Sequence, residues 1–96
     1  MMTDTGTRQL LLTGLKTDLG MSATTRFDDR LIERLIQAEE ELTAQGITLQ
    51  DTSRDRELVI MYAAWLWRSR TDGAPMPRML KIARNNRLAG EKAAIE

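Results

Sequence analysis

The sequence predicts an all-α fold, a small bundle of about four helices over residues 7–19, 25–45, 52–70 and 76–89. Three observations lead there. Apolar residues recur at intervals of three and four in four separate segments, which lines them up along one side of a helix. Glycine or proline marks the breaks between segments: Gly20, Gly46 and the stretch "TDGAPMP" from Thr71 to Pro77. No run alternates apolar and polar residues as a half-buried strand would.

In the first helix, Leu10, Leu11, Leu12, Leu15 and Leu19 recur at helical spacing and Gly20 supplies a left-handed stop. The second opens at "SATTRFDD", where Thr24 or Thr25 is placed to cap the helix and Asp28 and Asp29 favour the positive end of its dipole. Its stripe is Phe27, Leu31, Leu35, Ala38 and Leu42, widened by Ile32 and Ile36, and Gly46 ends it. Asp29, Glu33, Glu40 and Glu41 make its outer face acidic, and the run Glu39 to Glu41 reads as solvated.

Asp51, Thr52 or Ser53 caps the third helix, with Thr52 and Asp55 spaced as a capping box. At 100° per residue, Leu58, Met61, Tyr62, Trp65 and Ser69 share one face, while Ile60 and Trp67 point the opposite way beside Ala63 and Ala64. The two tryptophans therefore need different neighbours. Pro75 or Pro77 suits the first turn of the fourth helix, in which Met79, Leu80, Ile82, Ala83 and Leu88 lie among Arg78, Lys81, Arg84 and Arg87. Gly90 reads as its end, leaving residues 1–6 and 90–96 as flexible ends of a single domain spanning 1–96.

Apolar residues make up 42% of the chain and charged residues 29%, which suits a folded domain rather than a disordered one. With neither cysteine nor histidine, the chain has no disulfide, no thiolate cage, and neither the commonest metal ligand nor the commonest general base. No glycine-rich phosphate loop or metal-ligand spacing occurs, so no enzyme activity, metal or cofactor is expected. The apolar run from Val59 to Trp67 is too short to span a bilayer, and "MMTDTGTRQLLLTG" lacks the marks of a signal peptide, so no membrane partner is expected and the chain reads as cytosolic at synthesis.

The net charge of zero conceals a division: residues 1–48 hold five Lys/Arg and eight Asp/Glu, and residues 49–96 hold nine and six. From Arg68 to Lys92, seven basic residues meet only Asp72 and Glu91. Such an asymmetry suits a nucleic-acid surface or complementary patches on neighbouring copies. Arg and Asn on the fourth helix, in "RMLKIARNNR", could contact phosphates and base edges, so a small helical DNA-binding regulator is one reading. Against it, a helix-turn-helix joins its helices by three or four residues, and neither Gly46–Thr52 nor Thr71–Met76 is that tight.

Taken in order, "LKTDLGM", "FDDRLIERLIQAEEEL", "YAAWLWRSR" and "MPRMLKIARNNRLAGEKA" resemble the small head-tail connector proteins of tailed bacteriophages, also called adaptor or head-completion proteins, from about Leu11 to Lys92. The resemblance implies a bundle with two longer antiparallel helices at its centre. It also implies assembly into a ring, typically dodecameric, beneath the portal of the virion, between the portal protein and a further connector or tail-completion protein. Genomic DNA would pass through the channel without sequence-specific binding, and the free protein would occupy the host cytoplasm during assembly. Docking contacts would fall on the C-terminal segment, at Arg78, Lys81, Arg84, Asn85, Asn86 and Arg87, with Arg68 and Arg70 beginning the basic end. Ile60 and Trp67 are the candidate apolar anchors, and Asp29, Glu33, Glu40 and Glu41 the complementary acidic face.

Overall fold

A computed structural model describes residues 5–95. Four helices occur in order, α1 (Thr5–Leu19), α2 (Asp28–Ala44), α3 (Ser53–Arg68) and α4 (Arg78–Ile95), and no strand appears among the described residues. The predicted all-α bundle is what the chain forms. Lengths run only from 15 to 18 residues. The hub is α3, which touches each of the other three and α2 most extensively, whereas α4 packs against α3 alone among the helices.

The helix ends follow local chemistry. After α1, Gly20 takes φ 71° and the Met21 amide donates to the Lys16 carbonyl at 2.8 Å. After α2, Gly46 takes φ 105° and the Ile47 amide donates to the Leu42 carbonyl at 3.2 Å. Both are Schellman closures, in which a left-handed residue lets the chain satisfy carbonyls that the helix leaves open. Ile47 then turns inward and is fully buried.

The start of α2 differs from the expectation. Neither threonine caps it: Phe27 occupies the cap position without a side-chain hydrogen bond, and the Thr24 hydroxyl instead accepts from the Arg26 amide at 3.2 Å in the preceding turn. Asp28 and Asp29 do fill the first turn, and Lys16 of α1 pairs with Asp28 at 2.9 Å. Thr52 caps α3, its hydroxyl accepting from the Asp55 amide at 3.3 Å. The Asp55 carboxylate accepts from the Gln50 amide at 2.8 Å and reaches across to α4.

The fourth helix differs from the expectation at both ends. The Pro77 carbonyl accepts from the Lys81 amide at 3.0 Å, so both prolines precede the helix rather than occupy its first turn. At the other end Gly90 interrupts nothing: the helix continues to Ile95, with an Arg87–Glu91 ion pair at 2.5 Å bridging the glycine at i, i+4 and alanines following it. Gly90 is exposed, with nothing within 4 Å of where a Cβ would stand. Gly90→Ala is therefore expected to stabilise the protein by about 0.5–1 kcal/mol. A thermal melt reads this as a rise of a few degrees, and a lower Tm would show that Gly90 ends the helix.

The core joins Leu11, Leu12 and Leu15 of α1, Leu31, Leu35, Ala38 and Leu42 of α2, and Leu58, Val59, Tyr62, Ala63, Ala64 and Trp67 of α3. Ile47 and Leu49 close it from the connection, and Leu80 is the one buried hydrophobic residue from the described part of α4. Leu10 does not join the α1 stripe: three adjacent leucines cannot share one side of a helix, and it is 60% exposed. No helix among the described residues is long and apolar enough to cross a membrane.

Candidate protein-docking surface

Trp67 is not an external anchor. It is 8% exposed, with its ring edge-on to Phe27 at 5.7 Å and the Arg70 guanidinium 3.9 Å above its centroid. Arg70 also donates to the Trp67 carbonyl, which places this cation over its own helix end rather than toward a partner. Ile60 is half-buried against α1, where it packs over Gly14: its Cδ1 lies 2.6 Å from where a Cβ at Gly14 would stand. The two apolar residues expected at an interface thus serve the packing of this chain.

Arg87 is also structural. Its guanidinium donates through Nε to Asp55 Oδ1 at 2.9 Å, through Nη2 to the Thr48 carbonyl at 2.6 Å and through Nη1 to Glu91 Oε2 at 2.5 Å. Asp55 is 2% exposed, so this is a buried charge held by a fork of donors matched to it. The hydrogen bonds it donates to Asp55 and Glu91 raise the Arg87 pKa further above its already high value. Arg84 lies partly buried beside it, with Nε and Nη2 directed at Asn85 Oδ1 at 3.3 and 3.2 Å. Arg68, exposed, donates to the Asp18 carbonyl at 3.0 Å and pairs with its carboxylate at 3.6 Å.

Arg78, Lys81 and Asn85 are exposed on the side of α4 away from α3, and Asn86 is exposed at a groove beside Arg54, Glu57 and Leu58 of α3. Two apolar residues lie among them: Met79 is 69% and Ile82 42% exposed, although the sequence grouped them with the other apolar residues of the helix. The spacing could have found them, since both lie well off the face shared by Leu80, Arg84, Arg87 and Glu91. Met79 also borders a groove of about 310 Å³ between α3 and the approach to α4, lined by Met61, Trp65, Pro75, Pro77 and Leu80. Trp65 is fixed there by donating Nε1–H to the Ala74 carbonyl at 2.9 Å.

Of the acidic face, Asp29, Glu33 and Glu40 are exposed, and Ile36 joins them at 40% exposure. Glu41 does not belong to it: half-buried, it accepts from the Tyr62 hydroxyl at 3.2 Å, while Tyr62 accepts in turn from the Gln45 amide. Burial raises the Tyr62 phenol pKa; the Gln45 donor opposes this and Glu41 adds to it. Glu39, read as solvated, is 1% exposed and accepts from Arg8 of α1 at 2.8 Å. It follows Ala38 at the margin of the buried stripe, and α1 covers that margin.

Desolvation raises the Glu39 pKa above the usual carboxylate value, with Arg8 opposing. A carboxyl that holds its proton more tightly when folded adds stability below its unfolded pKa, and that contribution is lost as pH rises through the folded value. Glu39→Gln should remove this dependence, so wild-type stability relative to the variant falls as pH rises through the carboxylate range. Urea melts from about pH 4 to pH 8 check it, and a flat difference would remove the assignment.

Among the described residues no group of three or more acidic, histidine or cysteine side chains is placed to hold a metal. What the exposed residues do form is two charged helix faces, acidic on α2 and basic on α4, each with an apolar residue within it. No protein-family model, curated protein or solved structure matches this chain.

Proposed function

We propose that this chain is a structural connector of a tailed bacteriophage, a ring-forming adaptor that sits beneath the portal in the virion, extends the DNA channel and offers a surface to the next connector or tail component. The observation that carries the reading is the outer face of α4. The segment "MPRMLKIARNNRLAGEKA", which resembles connector proteins, is fastened to the bundle by Leu80 and Arg87 and turns Arg78, Met79, Lys81 and Ile82 outward. A helix that leaves cations and apolar side chains exposed together is suited to docking on protein, where apolar contact gives affinity and charge gives register. The role is architectural and consumes no substrate.

Purified protein, alone and mixed with portal protein, is to be measured by mass and imaged in negative stain. Rings, or a monomer recruited by portal, are the expected result. A stable dimer that shifts one duplex sequence, with affinity falling steeply as salt rises, would replace this reading with a DNA-binding regulator.

A further inference from the structure

The two charged faces have a relation that the charge count alone does not give. On α2, Asp29, Glu33, Ile36 and Glu40 follow at intervals of four, three and four, so they form one stripe, and each is exposed. The stripe lies opposite Leu31, Leu35, Ala38 and Leu42, which face the core, and it contains no cation. On α4, Arg78, Lys81, Ile82, Asn85 and Lys92 are exposed on the side opposite Leu80 and Arg87, and that side carries no acid, because Glu91 is turned inward to Arg87. Three carboxylates around one isoleucine thus match three cations around another.

These faces cannot meet within one chain. Each lies on the side of its helix remote from the core, and α2 and α4 do not touch, since α4 packs against α3 alone among the helices. None of the six charges on the stripes is used in an ion pair within the chain among the described residues, in contrast to Arg8, Lys16, Arg56, Arg68 and Arg87. We propose that the outward faces of α2 and α4 are the two halves of one interface, through which α4 of each copy docks on α2 of the next. Opposite charges at the rim steer and register the approach, and Ile36 meets Ile82 in its centre. Because the halves are different surfaces, the contact is head-to-tail, and it closes into a ring where the rotation between copies divides a full turn without a rise along the axis. This deepens the connector reading by naming the contact between its subunits.

Lys16, Lys81 and Lys92 are the chain's only lysines, so a zero-length carbodiimide cross-link, which joins an amine to a carboxylate already in contact, has few possible products. Isotopically labelled and unlabelled protein are mixed at low salt, alone and with portal protein, cross-linked and digested. The expected mixed-isotope products join Lys81 or Lys92 to Asp29, Glu33 or Glu40, while Lys16–Asp28, 2.9 Å apart within the chain, appears as the unmixed control. Raising salt from ~0.1 to ~1 M should lower the mixed products several-fold.

Two double variants at exposed positions give a second readout. Glu33→Lys with Glu40→Lys, and Arg78→Glu with Lys81→Glu, should each sediment as monomer, and mixing them should restore association, because each then offers the other two complementary faces. Mixed-isotope products that avoid these residues, an absence of such products both alone and on portal, or a mixture of the two variants that stays monomeric where wild type assembles would each overturn the contact. Rings on portal that link through other residues would overturn it while sparing the connector reading, whereas α2-to-α4 links in a protein that ignores portal would support it and remove that reading.

Discussion

Replacing Arg87 with glutamate is expected to detach α4 from the bundle. Leu80 is the one buried hydrophobic residue that the described part of α4 contributes to the core, with Ala83 and Leu88 packed half-buried against it, and Arg87 makes the polar contacts that tie the second half of the helix to the bundle. The wild-type guanidinium ties α4 to Asp55 in the first turn of α3 and to the Thr48 carbonyl in the connection before it. Glutamate in its place sets a carboxylate against the Asp55 carboxylate, which is 2% exposed, and leaves the carbonyl unpaired. Breaking a buried pair from one side costs about 3–5 kcal/mol, against a total stability of about 5–15 kcal/mol for a domain. Asp55 can regain water only if α4 lifts away, so the loss should be local before it is global.

The readouts follow from that order. Amide exchange should lose protection along α4 first, and circular dichroism should lose up to about a quarter of the helical signal, the share that α4 contributes. Arg87→Lys should recover only part of the loss, because an ammonium keeps the charge but not the planar fork that reaches Asp55 and Thr48 together. A wild-type urea midpoint for Arg87→Glu would show that the cluster does not hold the helix.

The α2 stripe was legible in the sequence because burial there repeats at helical spacing: Leu31, Leu35, Ala38 and Leu42 are each fully buried. The Thr52 cap and the left-handed glycines at 20 and 46 were legible because backbone donors and acceptors at a helix end must be met locally. The charged interior was not. Asp55 fitted a capping box and Arg87 a basic patch, and nothing in either local pattern reveals that residues 32 positions apart meet. The rule that reads charge as surface fails where a tertiary partner arrives, at Glu39 with Arg8 as well as at Asp55 with Arg87. Gly90 shows the complementary error, a stop signal overridden because residues on both sides favour the helix and an ion pair spans it. On the docking surface, the acidic stripe of α2 was visible from periodicity, whereas Met79 and Ile82 were hidden by their own hydrophobicity.

Trp67→Ala is the second substitution of large effect, and its meaning follows from what covers the ring. Residues of the same chain enclose it: Phe27, just before α2, meets it edge-on, Arg70 lies over its face, and the core continues through Ala63 and Ala64 on the same helix. Truncation removes the ring from a site that is already closed, leaving Phe27 without its partner and a cavity that the start of α2 must collapse to fill. Large-to-small changes of this kind cost about 3–5 kcal/mol. The edge-on aromatic contact adds about 0.5–1.5 kcal/mol beyond buried area. Urea melts of the variant should therefore show a loss comparable to that of Arg87→Glu but spread over α2 and α3, with amide protection falling along both. Any self-association should weaken only as far as folding does. Arg70→Ala, which removes the cation but keeps the ring, should cost far less, about 0.5–2 kcal/mol. If Trp67→Ala instead melted like wild type and failed only to associate, the indole would be an interface anchor, and its enclosure by Phe27 and Arg70 would have to open when copies meet.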